Sequence, residues 1–226
     1  IIVPICKKEG PCVFNNARPV TLTETATKGL TGILAQRLKR VLTAHPWMEH
    51  SQLAFLPGVD IMDNVEVDSF MWENARRTNT QLHVAYMDCS KAYDSMKKWH
   101  TEAALRAHRL PEKFIKLLVA HDDVENGGQV ITFMGLTDWI TSNGMAQGEI
   151  TSPVKFDYGQ DPLARWLSDH GKPVELKMKG KTLRVVALQF CDDINVYGGS
   201  KQDLQHNVGI VAEWCRVTQM KMNGPK

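Results

Sequence analysis

Two adjacent aspartates in an apolar setting, Phe190-Cys191-Asp192-Asp193-Ile194-Asn195-Val196, are the residues of this chain best suited to chemistry. The segments on either side, Val185-Val186-Ala187-Leu188 and Ile194-Asn195-Val196-Tyr197, read as short strands meeting at a tight turn. Carboxylates held that close repel each other and need a cation. Far upstream, His83-Val84-Ala85-Tyr86-Met87 reads as a short buried strand that ends on another carboxylate, Asp88. A strand ending in Asp beside a hairpin tipped with Asp-Asp can hold two divalent ions. Such a pair suits in-line displacement at phosphorus, one ion activating the attacking oxygen and the other stabilising the leaving one. The residues therefore point to phosphoryl or nucleotidyl transfer. An Asp-Asp pair alone is more often a solvated turn, and His121-Asp122-Asp123, after the helical stretch Glu112 to Ala120, reads as a solvated helix end.

The elements that must position these acids follow from periodicity. Short apolar pieces broken by Pro4, Gly10-Pro11 and Pro19 predict strands and turns over residues 1–20. Leu30, Ile33, Leu34, Leu38, Val41 and Leu42 recur at three- and four-residue spacing, predicting an amphipathic helix from Thr27 that stops before Pro46. Asp60 is placed to cap a second helix running to Thr78. Helices are expected over 99–108, 112–120, 153–169 and 201–217. Strand pairs are expected at 129–134 with 138–142, and around Gly180-Lys181, with a closing strand at 220–222. The order implies an α+β fold: an antiparallel sheet with helices on one face and a small lobe at the front.

The 226 residues suffice for one sizeable core or two modest subdomains, and a net charge of +2 is too small to imply nucleic acid by itself. Cations nevertheless cluster at Lys7-Lys8, at Arg37 with Lys39-Arg40, at Arg76-Arg77, at Lys97-Lys98, and at Lys177, Lys179, Lys181 and Arg184. The five cysteines lack metal-ligand spacing and read as reduced thiols of an intracellular protein. No apolar run reaches membrane-spanning length, so no membrane partner is expected. The chain begins Ile1-Ile2-Val3-Pro4 and reads as an excerpt.

Set in order, several strings resemble the reverse transcriptases of non-LTR (LINE, jockey-like) retrotransposons. Asn16-Ala17-Arg18-Pro19-Val20-Thr21-Leu22 is similar to N-Y-R-P-I-S-L, and Gln52 to Gly58 to Q-x-G-F-x-P-G. Asp88-Cys89-Ser90-Lys91-Ala92-Tyr93-Asp94 resembles D-x-S-K-A-[FY]-D, and Gly144 to Pro153 resembles G-x-P-Q-G-x-x-x-S-P. Phe190-Cys191-Asp192-Asp193 stands for [FY]-x-D-D, and Met220 to Lys226 for x-x-x-N-x-x-K. The resemblance implies a right-hand polymerase of fingers and palm, with the thumb missing. Fingers would span 1–80 and 111–143, and palm 81–110 and 144–226.

It also implies roles. Asp88 and Asp192 would bind two Mg²⁺ ions, with Mn²⁺ as a substitute, and Asp193 would support them as the third catalytic carboxylate. Tyr93 would lie under the incoming sugar and exclude a ribose 2′-hydroxyl, with a core tyrosine as the alternative. Asp94 would accept a positioning hydrogen bond. Gln147 and Gly148 would lie against the nascent base pair; Arg18 and one of Lys7 or Lys8 would clamp the triphosphate, and Lys226 would protonate the leaving pyrophosphate. Partners would be an RNA template, a DNA primer and dNTPs, in nucleus or cytoplasm; the oligomeric state is left open.

Ala146, Cys191, Leu56 and Val59 depart from the family pattern. They keep a second reading in view, a non-catalytic, degenerate domain that binds RNA or a protein partner. A third, an RNA-synthesising palm polymerase, is disfavoured by Tyr93.

Overall fold

The computed structural model describes residues 1–6, 17–44, 49, 51–52, 54–56, 58–125, 127–141, 144–178 and 180–223. In chain order the elements are β1 (Ile2–Cys6), β2 (Ala17–Thr21), α1 (Thr25–Ala44), α2 (Ile61–Thr78), β3 (His83–Asp88), α3 (Ala92–Ser95), α4 (Lys98–Ala107) and α5 (Glu112–Glu125). There follow β4 (Gly127–Gly128), β5 (Ile131–Thr132), β6 (Gly135–Leu136), β7 (Ile140–Thr141), α6 (Ser152–His170), β8 (Val174–Met178), β9 (Lys181–Val185), β10 (Ala187–Phe190), β11 (Asp193–Gly198) and α7 (Lys201–Thr218). They divide into two compact units, Ile1–Val41 with Tyr93–Phe156, and Leu42–Ala92 with Asp157–Lys226.

The second unit carries the acids. Its three-stranded antiparallel sheet has the order β10-β11-β3. Strand residues alternate between faces, so Ile194 and Val196, both fully buried, share one face, and Asp193, Asn195 and Tyr197 share the other. Helix α7 packs along β11 and β3. At the far end of the aspartate face, Met71 of α2 joins Leu176, Val185, Leu188 and Tyr197 in a buried cluster flanked by Val67, Val84 and Val174. The Tyr197 hydroxyl donates to Asp68 Oδ1 of α2 at 2.6 Å, so this aromatic core residue keeps its polar end paired.

Local rules explain the helix ends. Asp60 accepts from the Met62 N–H at 2.6 Å while Asp63 Oδ2 accepts from the Asp60 N–H at 2.8 Å, closing a capping box. Asn79 ends α2 in the left-handed region. Ser200 caps α7, accepting from the Asp203 N–H at 3.1 Å.

In the first unit, β1 and β2 form an antiparallel hairpin from Ile2↔Thr21 to Cys6↔Ala17, and α4 packs on α5. Five expectations are corrected. The buried stripe of α1 is Thr31, Leu34, Ala35, Leu38 and Leu42, a quarter turn from Leu30 and Ile33, which are 49% and 54% exposed. Helix α5 continues past Ala120 to Glu125, because nothing breaks it before Gly127. Residues 129–142 do not form one strand pair. Ile131-Thr132 folds straight back on Gly135-Leu136, with Gly135 at φ +112°, while Gly127-Gly128 pairs with Ile140-Thr141. The Trp139 indole lies so close to Gly127 that a Cβ there would meet it at 2.4 Å. Finally, Cys6 is disulfide-bonded rather than reduced; bonding depends on Cα approach, which spacing in sequence does not reveal. In the second unit the expected closing strand at 220–222 is a single bridge, Cys89↔Met222.

Gly198 shows how tightly α7 seats on β11: an added Cβ would stand 2.4 Å from the Leu204 backbone nitrogen, whereas at Gly199 the nearest atom would be 3.9 Å away. Gly198→Ala is therefore expected to lower the urea midpoint by the equivalent of about 1–3 kcal/mol, and Gly199→Ala to leave it nearly unchanged, as followed by circular dichroism.

Candidate active site

Strand β3 pairs with β11 from Asp88↔Asp193 to His83↔Gly198, and β11 pairs with β10 from Phe190↔Asp193 to Ala187↔Val196. The Cys89 N–H donates to the Asp192 carbonyl at 3.3 Å. That bond makes Asp88 and Asp193 a non-hydrogen-bonded pair, the closer of the two antiparallel kinds, with Cα atoms about 4.5 Å apart and side chains on one face. Asp192 is the next residue, in the turn itself. The structure thus brings Asp88, Asp192 and Asp193 together from two places in the sequence, the end of β3 and the β10–β11 turn.

The turn is unusual in one respect. Cys191, not a glycine, occupies the left-handed region at φ +58°, which costs an L-residue about 1–2 kcal/mol. The fully buried Gln52 lies beside it. Its Oε1 accepts from the Cys191 N–H at 3.3 Å and its Nε2 donates to the Cys191 carbonyl at 3.4 Å.

Burial first, then the charges of Asp192 and Asp88, raise the Asp193 carboxyl above its ordinary value. The Asn223 side chain donates to Asp88 Oδ2 at 2.6 Å, and its backbone N–H donates to the Asp88 carbonyl at 2.8 Å. Cys89 is buried, its thiol pushed up to about 12 by desolvation and then by Cys215 and the two aspartates. The neighbouring Asp88, Asp192 and Asp193 offer hard carboxylate oxygens, a donor type that suits Mg²⁺ or Mn²⁺. Among the described residues no three His, Cys, Asp or Glu side chains form a ready-made ion cage. That is compatible with Mg²⁺, which takes one or two carboxylates and completes its shell with water and phosphate oxygens.

A groove of about 720 Å³ opens beside Asp88 and Asp193, lined also by Tyr86, Phe190, Asn195 and Asn223. Tyr86 is 65% exposed there. Asp88 and Asp193 are open to solvent from this side.

Tyr93, Asp94, Gln147, Gly148 and Arg18 lie in the first unit. The Tyr93 ring stacks on Phe156 with centroids 4.9 Å apart, and its carbonyl accepts from the Met145 N–H at 2.8 Å. Gly144 permits this contact, since a Cβ there would meet the Asp94 backbone at 2.4 Å. Gln147 bridges to Val20 of β2, its carbonyl accepting from the Thr21 N–H at 2.7 Å. Gly148, at φ +93°, would bring a Cβ within 3.0 Å of the Thr21 carbonyl, so its glycine is required by β2 itself. Arg18 is exposed on that same strand. Lys7, Lys8 and Lys226 lie outside the described residues. The structure therefore unites the three aspartates in one unit, and in the other Gln147-Gly148 with the strand of Arg18.

Sequence reading missed the supporting residues. Gln52 and Asn223 each stand in a motif, but only the fold shows what they bond. Glu149 is buried with Lys155, 3.7 Å from its Nζ, and accepts from the Thr151 N–H at 2.8 Å, the Thr151 hydroxyl and the Ser152 hydroxyl. No spacing rule marks that cluster.

An antiparallel sheet with one acid at a strand end and two at the facing hairpin is the palm of a right-hand nucleic-acid polymerase. The chain belongs to the reverse transcriptase (RNA-dependent DNA polymerase) family, which it matches over residues 5–226. It is 25% identical over 211 residues to the Pol polyprotein of the type-2 retrotransposable element R2DM of Drosophila melanogaster, covering 92% of this chain and 19% of that protein. It is 26% identical over 190 residues to the Pol polyprotein of the type-1 retrotransposable element R2 of Nasonia vitripennis, covering 83% and 18%. The chain thus spans about a fifth of these relatives. Among solved structures it resembles telomerase from Candida albicans in complex with a fragment of telomeric RNA, with TM-score 0.62, 11% identity, and coverage of 99% of this chain and 42% of that one. It also resembles apo telomerase from Candida tropicalis truncated from its C-terminal domain, with TM-score 0.60, 12% identity, and coverage of 93% and 47%. At these identities the likeness concerns the fold. Among the described residues no helix is long and apolar enough to cross a membrane.

The raised Asp193 carboxyl sets a sign for pH dependence. The folded state holds that proton more tightly than the unfolded chain, so stability falls as pH rises from the ordinary 3.8 through the folded value. Without divalent ions, Asp193→Asn should unfold at higher urea than the parent at pH 7, and the difference should vanish below the ordinary value. Paired urea titrations across pH measure this.

Proposed function

We propose that the protein is an RNA-directed DNA polymerase that joins dNTPs to the 3′-hydroxyl of a DNA primer on an RNA template. The observation that carries this reading is the close Asp88–Asp193 pair, with Asp192 beside it, at the mouth of an open groove. Asp88 and Asp192 would hold two Mg²⁺ ions, and Asp193 would support them. When bound, the metal would activate the primer hydroxyl and offset negative charge on the α-phosphate and the departing pyrophosphate.

The remaining steps belong to this chain's own residues. Asn223 holds the Asp88 carboxylate in one orientation through its 2.6 Å hydrogen bond. Tyr93, braced by Phe156, would stand under the incoming sugar and leave no room for a 2′-hydroxyl. Gln147 and Gly148, fixed to β2, would lie against the nascent base pair. Arg18, with Lys7 or Lys8, would bind the triphosphate, where a planar guanidinium matches phosphate oxygens, and Lys226 would give a proton to the leaving group. In this assignment fingers comprise 1–80 and 111–143, and palm 81–110 and 144–226. Work on nucleic acid would take place inside the cell.

Primer extension on an RNA template with Mg²⁺ tests the proposal. Asp88→Asn and Asp192→Asn should each lower kcat on the order of 100-fold or more, as expected for loss of groups that meet transition-state charge. Nucleic-acid binding that persists without extension, and is indifferent to these changes, would identify the non-catalytic RNA- or protein-binding reading instead. Tyr93→Ala should reduce discrimination against ribonucleotides by about 10- to 100-fold, measured as the ratio of kcat/KM for matched deoxy- and ribonucleotides.

A further inference from the structure

The aspartate turn is held in a conformation its own sequence disfavours. Cys191 carries φ +58°, and the β10–β11 hairpin offers no glycine at that point. Something outside the hairpin must compensate. Gln52, 139 residues away in sequence, meets both polar groups of Cys191 at once. Its Oε1 accepts from the Cys191 N–H and, at 3.1 Å, from the Ala54 N–H; its Nε2 donates to the Cys191 carbonyl.

The Gln52 backbone is itself anchored. It forms a parallel bridge to Gln189 of β10, and the neighbouring Ser51 carbonyl accepts from the Gln189 N–H at 2.6 Å. Asn64 of α2 donates to the Gln189 carbonyl at 3.0 Å from the same side. Gln52 is 0% exposed, so its amide is shielded from water, and removing it would leave the Cys191 N–H and carbonyl without these partners. A carboxylate could reproduce the accepting half alone; an apolar side chain could reproduce neither.

We propose that Gln52 is the positioning residue of the aspartate turn, its buried amide holding Cys191 left-handed and so fixing where the Asp192 carboxylate stands. The inference rests on the polymerase reading for its catalytic consequence only. Its structural half stands on the hydrogen bonds alone. A side chain that merely filled the core would change stability and nothing else. A positioning side chain changes the turn, and through it metal affinity and kcat.

The test compares the parent with Gln52→Met, which keeps the volume without the amide, with Gln52→Glu, which keeps the acceptor without the donor, and with the double variant Gln52→Met/Cys191→Gly. Three readouts are taken: hydrogen exchange of the residue 191 amide, Mn²⁺ affinity by electron paramagnetic resonance, and steady-state dNTP incorporation. For Gln52→Met the expected results are exchange at least tenfold faster at residue 191, Mn²⁺ binding about tenfold weaker, and kcat lower by tenfold or more with the dNTP KM within twofold. Displacement of a reacting group by about 1 Å can cost 100-fold. Gln52→Glu should fall between, and it serves alone if Gln52→Met does not fold. Glycine takes positive φ without penalty, so Cys191→Gly should restore at least fivefold of the lost Mn²⁺ affinity and kcat.

Unchanged exchange at residue 191 in Gln52→Met overturns the proposal, and so does unchanged Mn²⁺ affinity in Gln52→Glu where that variant alone folds. So does a loss of stability with Mn²⁺ affinity untouched, or a glycine that rescues nothing. If the parent protein extends no primer while exchange responds as expected, the polymerase reading fails and the positioning role survives.

Discussion

Everything at this site depends on the register of β3 against β11. Strand side chains alternate with period two, so a slip of one residue would send Asp88 to the opposite face from Asp193. Contacts at both ends of β3 hold the register. At one end the Cys89 N–H bonds the Asp192 carbonyl and Asn223 bonds the Asp88 carboxylate and carbonyl; at the other, Val84 packs on the buried cluster of Met71, Leu176 and Tyr197. β11 is seated in turn by the burial of Ile194 and Val196, by the Tyr197 hydroxyl on Asp68, and by the close approach of Gly198 to Leu204. The constraints along the sheet thereby put two carboxylate-bearing residues opposite each other at its end, with Cα atoms about 4.5 Å apart.

That placement is unfavourable on its own terms. Partial desolvation and the charges of Asp192 and Asp88 raise the Asp193 carboxyl. The sheet keeps the acids together through its strand pairing and through the core around Met71, Leu176 and Tyr197. A site that stores such repulsion is prepared for a cation. Helices on either side of the acids give the sheet the rigidity this requires: α7 runs along β11 and β3, and α2 closes the far end of the aspartate face.

Much of this was legible in the amino-acid order, for a physical reason. Capping at Asp60, the strand ending at Asp88 and the Asp192-Asp193 turn obey rules that act within a few residues, and the structure has each where the pattern puts it. The family resemblance extended that local reading to the whole chain. What escaped was decided at a distance. Leu30 and Ile33 fit a helical stripe as well as Leu34 and Leu38 do, and only the packing of α1 selects between them. Gly127-Gly128 carries no strand signal and becomes one because Ile140-Thr141 needs a partner and Trp139 needs a residue without a side chain. Gln52 could be placed in a motif but not given a task, since its bonds join residues 139 positions apart.

The turn after Gln147 shows the same logic worked with buried charge. Glu149 and Lys155 are both almost wholly removed from water, and desolvating two ions commonly costs as much as their attraction returns. The pair therefore argues poorly for stability by itself. Its value lies in direction: the Glu149 carboxylate also accepts from the Thr151 N–H and from the Thr151 and Ser152 hydroxyls, so one side chain fixes the two residues at the entry to α6. With those fixed, Gln147 and Gly148 have little freedom left, and β2 takes the rest through the Thr21 N–H and the close approach at Gly148. A hydrophobic isostere of the pair could fill the same space, but it could not orient that turn, because only a carboxylate accepts so many donors at once.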